Sequence, residues 1–467
     1  MKHQHVLMSL ICVTLSLWMV SSLVRGQSLK TKGIWMHGAS LPSNYQDNIN
    51  LTSKLSGNNV KDVFLLTKGT AGSQTSDVKI NNFIEAAHSN KIKVHLWYVV
   101  SQDDLYLKNN PGAHVYHSPK PDISTRPYRM TNEMVNLHYP GYKAYVMNKI
   151  KYFVTQFNCD GIHLDYIRYS HLVYSFDTYS LKKAASLGCD TVRLLSLFNT
   201  EPNYTRYAVN DGFINLYKEN DTDVRKWVEM RKNTINDYIK SVKDTLMRYK
   251  PALKLSAAYM PETSTSPDYA DVHYGQNLAM HSENLDIISP MAYFKSYGKT
   301  TSWLRTVATE SKNKVNSNCE VSVGIQAFDN VTPIEIGEQM DYATAGGSDG
   351  LIIFVYSTIT TDEAWNVIKN KFNTLTQNNE TEEVKKVNVT TSGSDIQVSL
   401  QLAKPAYITM DIYSSTGERV LNKRCAMEAG STMVKFSSAS LNEGVYFCHL
   451  GTYDSFVTKK IIIKGGR

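Results

Sequence analysis

From residue 32 to about residue 372 the chain alternates short apolar runs with helical patterns, and it completes eight such units. The runs at 33–37, 60–68, 93–100, 161–168, 253–260, 285–294, 320–328 and 350–357 have the length and apolar density of buried strands. The segments 49–58, 78–89, 141–156, 224–248, 270–282, 303–315, 333–345 and 362–371 carry apolar residues at helical spacing. A strand followed by a helix of that length implies a parallel neighbour reached by a crossover. A doubly wound sheet also alternates, but the count of eight predicts an α/β fold of the (β/α)8 barrel type over residues 29–372. Two segments exceed ordinary connections, 101–138 after the third strand and 170–222 after the fourth. Both fall where βα loops build the mouth of a barrel, and long loops there commonly serve as lids or binding walls.

Beyond the last unit, residues 373–386 (NTLTQNNETEEVKK) are polar and aperiodic and read as a linker. Residues 387–467 change character. Alternating segments at 396–402, 407–413 and 458–463 are broken by turns at Ser414-Ser415-Thr416-Gly417 and Asn442-Glu443-Gly444, the pattern of a small antiparallel β-sandwich. At the other end, Lys2 precedes the apolar run 6–20 and small residues lead to Arg25, the layout of a secretory signal peptide over 1–26. No later segment is long and apolar enough to cross a bilayer. The formal charge is +7, of which Lys2 and Arg25 supply two, and no basic run with interleaved aromatics occurs, so nucleic acid is not an expected partner. Apart from Cys12, five cysteines remain, Cys159, Cys189, Cys319, Cys425 and Cys448, too few and too scattered for a disulfide framework. Cys425 and Cys448 share one small unit, and pairing and free thiols both stay open.

Several of these segments resemble known families. GIWMHG at the first strand, KVHLWYVV at the third, CDGIHLDYIRY at the fourth and LDIISPMAYF at the sixth are similar to the motifs of glycoside-hydrolase-like family 10. Trp227-Val228-Glu229-Met230-Arg231 is a weaker match to that family's tryptophan–arginine element. The resemblance implies a barrel with glycosidase chemistry and marks the strand-four acid, Asp165. Two positions depart from the family pattern: Tyr166 stands where a second acid often follows, and Met291 where a polar residue often follows the proline of the sixth strand. The C-terminal unit, through ITMDIYSSTGERV, LNEGVYFCHL and VTKKIIIKGGR, resembles the sorting domain of the type IX secretion system of Bacteroidetes. That implies the type IX machinery as a partner and delivery to the medium or the cell surface.

Barrel enzymes hold their chemistry at the C-terminal ends of strands. Glycoside cleavage commonly needs two carboxyl groups there, one to protonate the leaving oxygen and one to act as nucleophile or activate water. Alternation puts His163 and Asp165 on one face of the fourth strand. Asp165 and Glu262, from adjacent strand ends, form the expected pair, Asp165 as nucleophile or base and Glu262 as proton donor. Asp329, Asp268 and Glu229 stand in reserve. Lys68, Arg168 and Arg231 are expected to orient the acids or contact sugar hydroxyls. Trp35, His37, Trp97, His163, Tyr293 and Tyr356 complete the expected substrate-facing set, because flat rings with polar tips suit the C–H faces of sugars. His95 and His163 lie deeper than the strand ends and read as hydrogen-bonded interior histidines rather than metal ligands. No P-loop, dinucleotide-binding glycine motif, serine elbow or HExxH occurs, and no metal or other cofactor is expected. The reading is an exported glycosidase acting on a poly- or oligosaccharide, with a non-catalytic glycan-binding barrel as the alternative.

Overall fold

All eight predicted strands form and close into a barrel in the order β1 to β8, every pair parallel. They are β1 (Thr31–His37), β2 (Asp62–Lys68), β3 (Lys93–Val99), β4 (Gly161–Asp165), β5 (Lys254–Tyr259), β6 (Ile287–Pro290), β7 (Glu320–Gln326) and β8 (Gly350–Phe354). The computed structural model describes residues 29–116, 134–172, 174–199, 212–374, 384–392, 395–402, 406–415, 419–427, 430–439, 441–451 and 456–463. The expected signal segment, 1–26, lies outside them, as do most of the expected linker and parts of both insertions.

The helices follow their local signals. Asn44 caps the helix Tyr45–Gly57, Asp221 caps Thr222–Tyr249, and Thr332 with Glu335 forms a reciprocal capping box on Pro333–Ala345. The predicted helix 270–282 is instead two, Pro267–Tyr274 and Leu278–His281. Gly275 separates them in a left-handed conformation (φ 64°), which stops the first helix and turns the chain. The fourth strand is shorter than predicted because Tyr166, at φ 48°, leaves extended geometry.

Two apolar layers surround the sheet. Residues facing outward, such as Ile34, Leu65, Val94, Leu96, Ile162, Leu164, Val323 and Ile353, pack against the helices. The inward layer holds Trp35, Phe64, Trp97, Ile352 and Val355. Its large rings need small residues opposite. At Gly161 an added Cβ would lie 2.3 Å from His95 Nδ1 and 2.7 Å from the Lys254 carbonyl oxygen. The His95 ring itself stacks on Phe64, with centroids 4.6 Å apart. The insertion after β4 is helical, through Thr178–Ser186, Thr191–Asn199 and Gly212–Lys218. It builds its own core with Phe176, Leu194, Phe213 and Tyr217 on Trp227 and Val228 at the start of the long helix Thr222–Tyr249.

Among its described residues the C-terminal unit has seven strands, β9 (Val384–Ser392), β10 (Asp395–Leu402), β11 (Ala406–Ser414), β12 (Arg419–Met427), β13 (Gly430–Ser437), β14 (Gly444–Gly451) and β15 (Phe456–Ile463). They form two antiparallel sheets, β13-β10-β9 and β12-β11-β14-β15. Ile396 and Val398 of one sheet share a core with Met410, Ile412, Cys448 and Leu450 of the other, so the pair is a sandwich. Cys448 is a free thiol. It pairs in register with Ile412, while Cys425 pairs with Ile408 on the far side of β11. Two strand spacings, about 10 Å, exceed the reach of a disulfide.

Overpacking at the closest approach inside the barrel gives a direct check. Gly161→Ala is expected to lower stability by about 1–3 kcal/mol, read from urea unfolding, because neither the His95 ring nor the β5 backbone has room to move.

Candidate active site

The site rests on a polar layer inside the barrel. The indole Nε1 of Trp35 donates to His163 Nε2 at 3.1 Å. That fixes the tautomer: Nδ1 carries the proton and donates to Ser256 Oγ at 2.8 Å, and Ser256 Oγ reaches the Ile162 carbonyl oxygen at 3.3 Å. His163 is fully buried, and burial, with the charge of His95 adding, depresses its pKa to about 3. It is therefore a neutral imidazole with both nitrogens engaged. Trp35 and His163, expected to face substrate, form the layer beneath it.

One alternation higher, Asp165 stands at the end of β4. Its Oδ2 accepts from Trp97 Nε1 at 3.1 Å, and its Oδ1 accepts from the backbone N–H of Tyr166 at 2.7 Å. Burial raises its pKa; the Arg168 guanidinium and the two hydrogen bonds pull the other way. The left-handed backbone of Tyr166 follows directly, an uncommon conformation for an aromatic residue and the sort found beside functional groups. Tyr293, from the loop after β6, stands beside Asp165: its phenol is raised far above its ordinary range, first by burial and then by the Asp165 charge. The Tyr293 ring stacks on Phe354 at 5.5 Å and meets Phe328 edge-on at 5.3 Å. His37 sits on the rim, 5.8 Å from Trp97 and 6.2 Å from Phe354 between ring centroids.

Glu262 opens the short helix Glu262–Thr265 after β5. Its Oε1 accepts from Tyr274 Oη at 3.4 Å and its Oε2 from Tyr297 Oη at 3.2 Å. Burial raises its pKa, and a hydrogen bond from its own backbone N–H, these phenols and Arg168 offset part of the rise. Arg168 thus acts on both acids. Its guanidinium lies 4.6 Å from the Tyr166 ring centroid and 6.0 Å from that of Tyr274. Asp165, Tyr293, Tyr297, Glu262 and Arg168 therefore converge on one mouth. Tyr274 and Tyr297 were not foreseen from sequence. The glycine immediately after Tyr274 was the available signal, since it ends the helix at that tyrosine.

Three expected substrate contacts lie elsewhere. Lys68 is buried; its ammonium donates to the carbonyls of Val99 and Gln102 at 2.8 and 2.5 Å and pairs with Asp103 at 3.1 Å. Its donors are spent holding the loop after β3, and burial lowers its pKa to about 8 despite Asp103. Arg231 is likewise buried and donates to the carbonyls of Val272, His171 and His273 at 2.7, 2.9 and 3.0 Å. It ties the loop after β5 to the loop after β4. Tyr356 packs outward, its ring 6.0 Å from Trp365 in the helix Asp362–Thr374. Of the reserve acids, Asp268 faces Lys218 at 3.7 Å and Glu229 binds Lys232 at 2.7 Å, whereas Asp329 accepts from Gln326 Nε2 at 3.3 Å beyond β7. Among the described residues no group of three His, Cys, Asp or Glu is placed to hold a metal ion, and no helix is long and apolar enough to cross a membrane.

Residues 391–464 match the model of a secretion system C-terminal sorting domain. Among curated proteins none matches the chain. Solved structures match the barrel at low identity. The PgaB (BpsB) glycoside hydrolase domain from Bordetella bronchiseptica aligns with a TM-score of 0.55 at 12% identity, over 73% of this chain and 98% of that one. The catalytic domain of beta-amylase from Paenibacillus polymyxa gives 0.52 at 8%, over 73% and 98%. Beta-galactosidase from Marinomonas ef1 gives 0.52 at 8%, over 73% of this chain and 59% of that one. At such identity the likeness carries the fold alone. The model of the family described as glycosyl hydrolase-like 10 matches residues 61–344, more than half of the sequence, and the chain belongs to that family.

Proposed function

We propose that this protein is an exported glycoside hydrolase that cleaves O-glycosidic bonds of a poly- or oligosaccharide, with Asp165 as nucleophile or base and Glu262 as proton donor. The observation that carries the reading is electrostatic. One buried carboxyl group, Asp165, and one partly buried, Glu262, both raised in pKa by desolvation, flank one arginine at the mouth of a glycosidase-like barrel. Asp165 keeps donors on both oxygens and faces Arg168, so it is the acid better held as a carboxylate. Glu262 is the acid on which burial acts against longer and weaker hydrogen bonds, which suits a group that must carry a proton. The rings of Trp97, Tyr166, Tyr274, Tyr293 and Phe354 around them supply flat walls for a sugar.

Export follows from the C-terminal sorting domain, which in its motifs resembles those of the type IX pathway. The secretion machinery is then a partner, and the place of action is the medium or the cell exterior. A second reading is a barrel that holds glycan without cutting it. It is favoured by one observation: both oxygens of Glu262 accept phenolic hydroxyls, an arrangement that stabilises the ionised form.

Reducing-end release from a polysaccharide panel separates the two. Asp165→Asn is expected to lower kcat by about a thousandfold or more and Glu262→Gln by about a hundredfold or more, with KM little changed. Full activity in Glu262→Gln would remove it from the pair, and no product from the wild type on any glycan it binds would favour the binding protein. The pH dependence carries a sign as well. With both acids raised, kcat/KM is expected to be bell-shaped, with its acid limb above the range of an exposed aspartate. Tyr297→Phe removes a donor that stabilises the Glu262 carboxylate, so the glutamate holds its proton to higher pH and the alkaline limb is expected to move up.

A further inference from the structure

The outer face of the four-stranded sheet in the C-terminal sandwich is open at one end and covered at the other. On β14 the outward positions Val445 and Phe447 are 37% and 42% exposed, and Ile462 of β15 is 50% exposed. Asp411 lies on the same face, since Met410 and Ile412 on either side of it point into the sandwich core. Yet Asp411 is 4% exposed, and His449, its register partner on β14, is half-buried. An acid on the outer face of a sheet needs a cover to be buried so deeply. Part of it comes from the sandwich itself, where Asn422 and Arg419 donate to Asp411 Oδ1 at 2.7 and 3.4 Å. The rest is the barrel. Arg305, from the helix Trp303–Lys314 that follows β6, donates through Nη1 to His449 Nε2 at 3.0 Å. Its guanidinium also lies 5.4 Å from the ring centroid of Tyr342, in the helix Pro333–Ala345. The Tyr342 phenol is pushed up to about 12, first by burial and then by Asp411 and Tyr413 of the sandwich. Burial raises the Tyr413 phenol in turn, Asp411 adds to the rise and Arg305 opposes it. Two barrel helices and two sandwich strands thus meet around Arg305.

We propose that this patch is a docking surface that holds the sorting sandwich against the side of the barrel, and that it holds only while the His449 imidazole is neutral. The inference goes beyond the hydrolase reading and needs no catalysis. A ring nitrogen that accepts from a guanidinium carries no proton, and protonating it sets two cations against each other 3.0 Å apart. The charged groups facing His449 are Arg305 from the barrel and Asp411 across β11; its partner on β15 is Thr458, which carries no charge. Burial lowers the His449 pKa to about 4, with Arg305 adding and Asp411 opposing. The docked form therefore binds fewer protons than the free one. Docking is at full strength above the ordinary histidine value and is lost as pH falls through about 4. Docked, the barrel closes the Asp411–His449 end of the sorting domain to outside partners and leaves Val445, Phe447 and Ile462 open. The contact is polar and charged, unlike the apolar core inside each domain, so it opens before either domain unfolds.

Small-angle X-ray scattering of the full chain tests this at about pH 7.5 and about pH 4.5 in the same salt, with near-UV circular dichroism to follow the fold of both domains. At the higher pH the wild type is expected to scatter as one rigid two-domain particle. At the lower it is expected to swell reversibly, because the docking constant falls by up to about tenfold for each pH unit below the ordinary histidine value. His449→Lys sets a permanent cation against Arg305 and is expected to swell at both pH values. Adding Arg305→Glu to it is expected to restore the compact particle at the higher pH, which damage to the sandwich would not allow. His449→Gln keeps an acceptor without a titrating proton and is expected to stay compact at both. A swollen wild type at about pH 7.5, a compact His449→Lys, or a His449→Gln that swells with acid as the wild type does overturns the proposal. If His449→Lys does not fold, Arg305→Ala reads the same contact from the barrel side, and a compact particle there overturns the docking.

Discussion

The hydrogen bond from the Trp35 indole to His163 is the interaction on which the site depends. A barrel interior this narrow must be filled, and filling it with polar side chains is tolerable only if each finds a partner. Trp35, His163, Ser256 and the Ile162 carbonyl settle that requirement in one chain that crosses from β1 through β4 to β5. The imidazole is thereby locked in one tautomer and kept neutral. Asp165, two residues along the same strand, inherits a rigid floor and a fixed direction. The second indole, Trp97, repeats the device one layer up by donating to the carboxylate itself.

Above that floor the electrostatics are a contest between burial and a small number of donors. Burial is the leading influence on both acids and raises both. What separates them is the order of what opposes it: Arg168 first, then a short backbone N–H and an indole at Asp165, and a backbone N–H first, then two longer phenolic contacts and Arg168 at Glu262. Different environments for two like groups are how one site assigns unlike roles. Arg168 links the two halves, since it lowers both carboxyl groups while resting on Tyr166 and Tyr274. Lys68 and Arg231 do the opposite work. Each is a cation turned inward onto carbonyl oxygens, where it fixes a loop that walls the mouth.

Much of this frame was legible in the sequence, and the failures have a common cause. The strands were readable because a buried parallel strand is apolar along its length, and Asp165 was conspicuous because it interrupts such a run at the end where barrels do chemistry. The short fourth strand and the split helix were missed at Tyr166 and Gly275, where single backbone dihedrals end an element without disturbing the apolar pattern. Lys68 looked like a mouth cation by its position at a strand end, and Arg231 by its match to the family's tryptophan–arginine element. Their long stems let the charge travel several ångströms from the backbone, so position along the chain does not say where the charged end comes to rest.

The amino-acid sequence by itself determined the eight units, the face of β4 that carries Asp165, the division into a barrel and a β-sandwich, and the families to which both resemble. These follow from period and composition, which act over a few residues and leave a trace in the chain. Only the tertiary structure decided that Tyr274 and Tyr297 hold Glu262, that Trp97 rather than a second acid holds Asp165, and that Arg168 faces both. Those meetings bring together residues far apart in the chain, on different strands and loops. They are set by the stagger of a closed sheet and the path of its connections, and no local pattern encodes either.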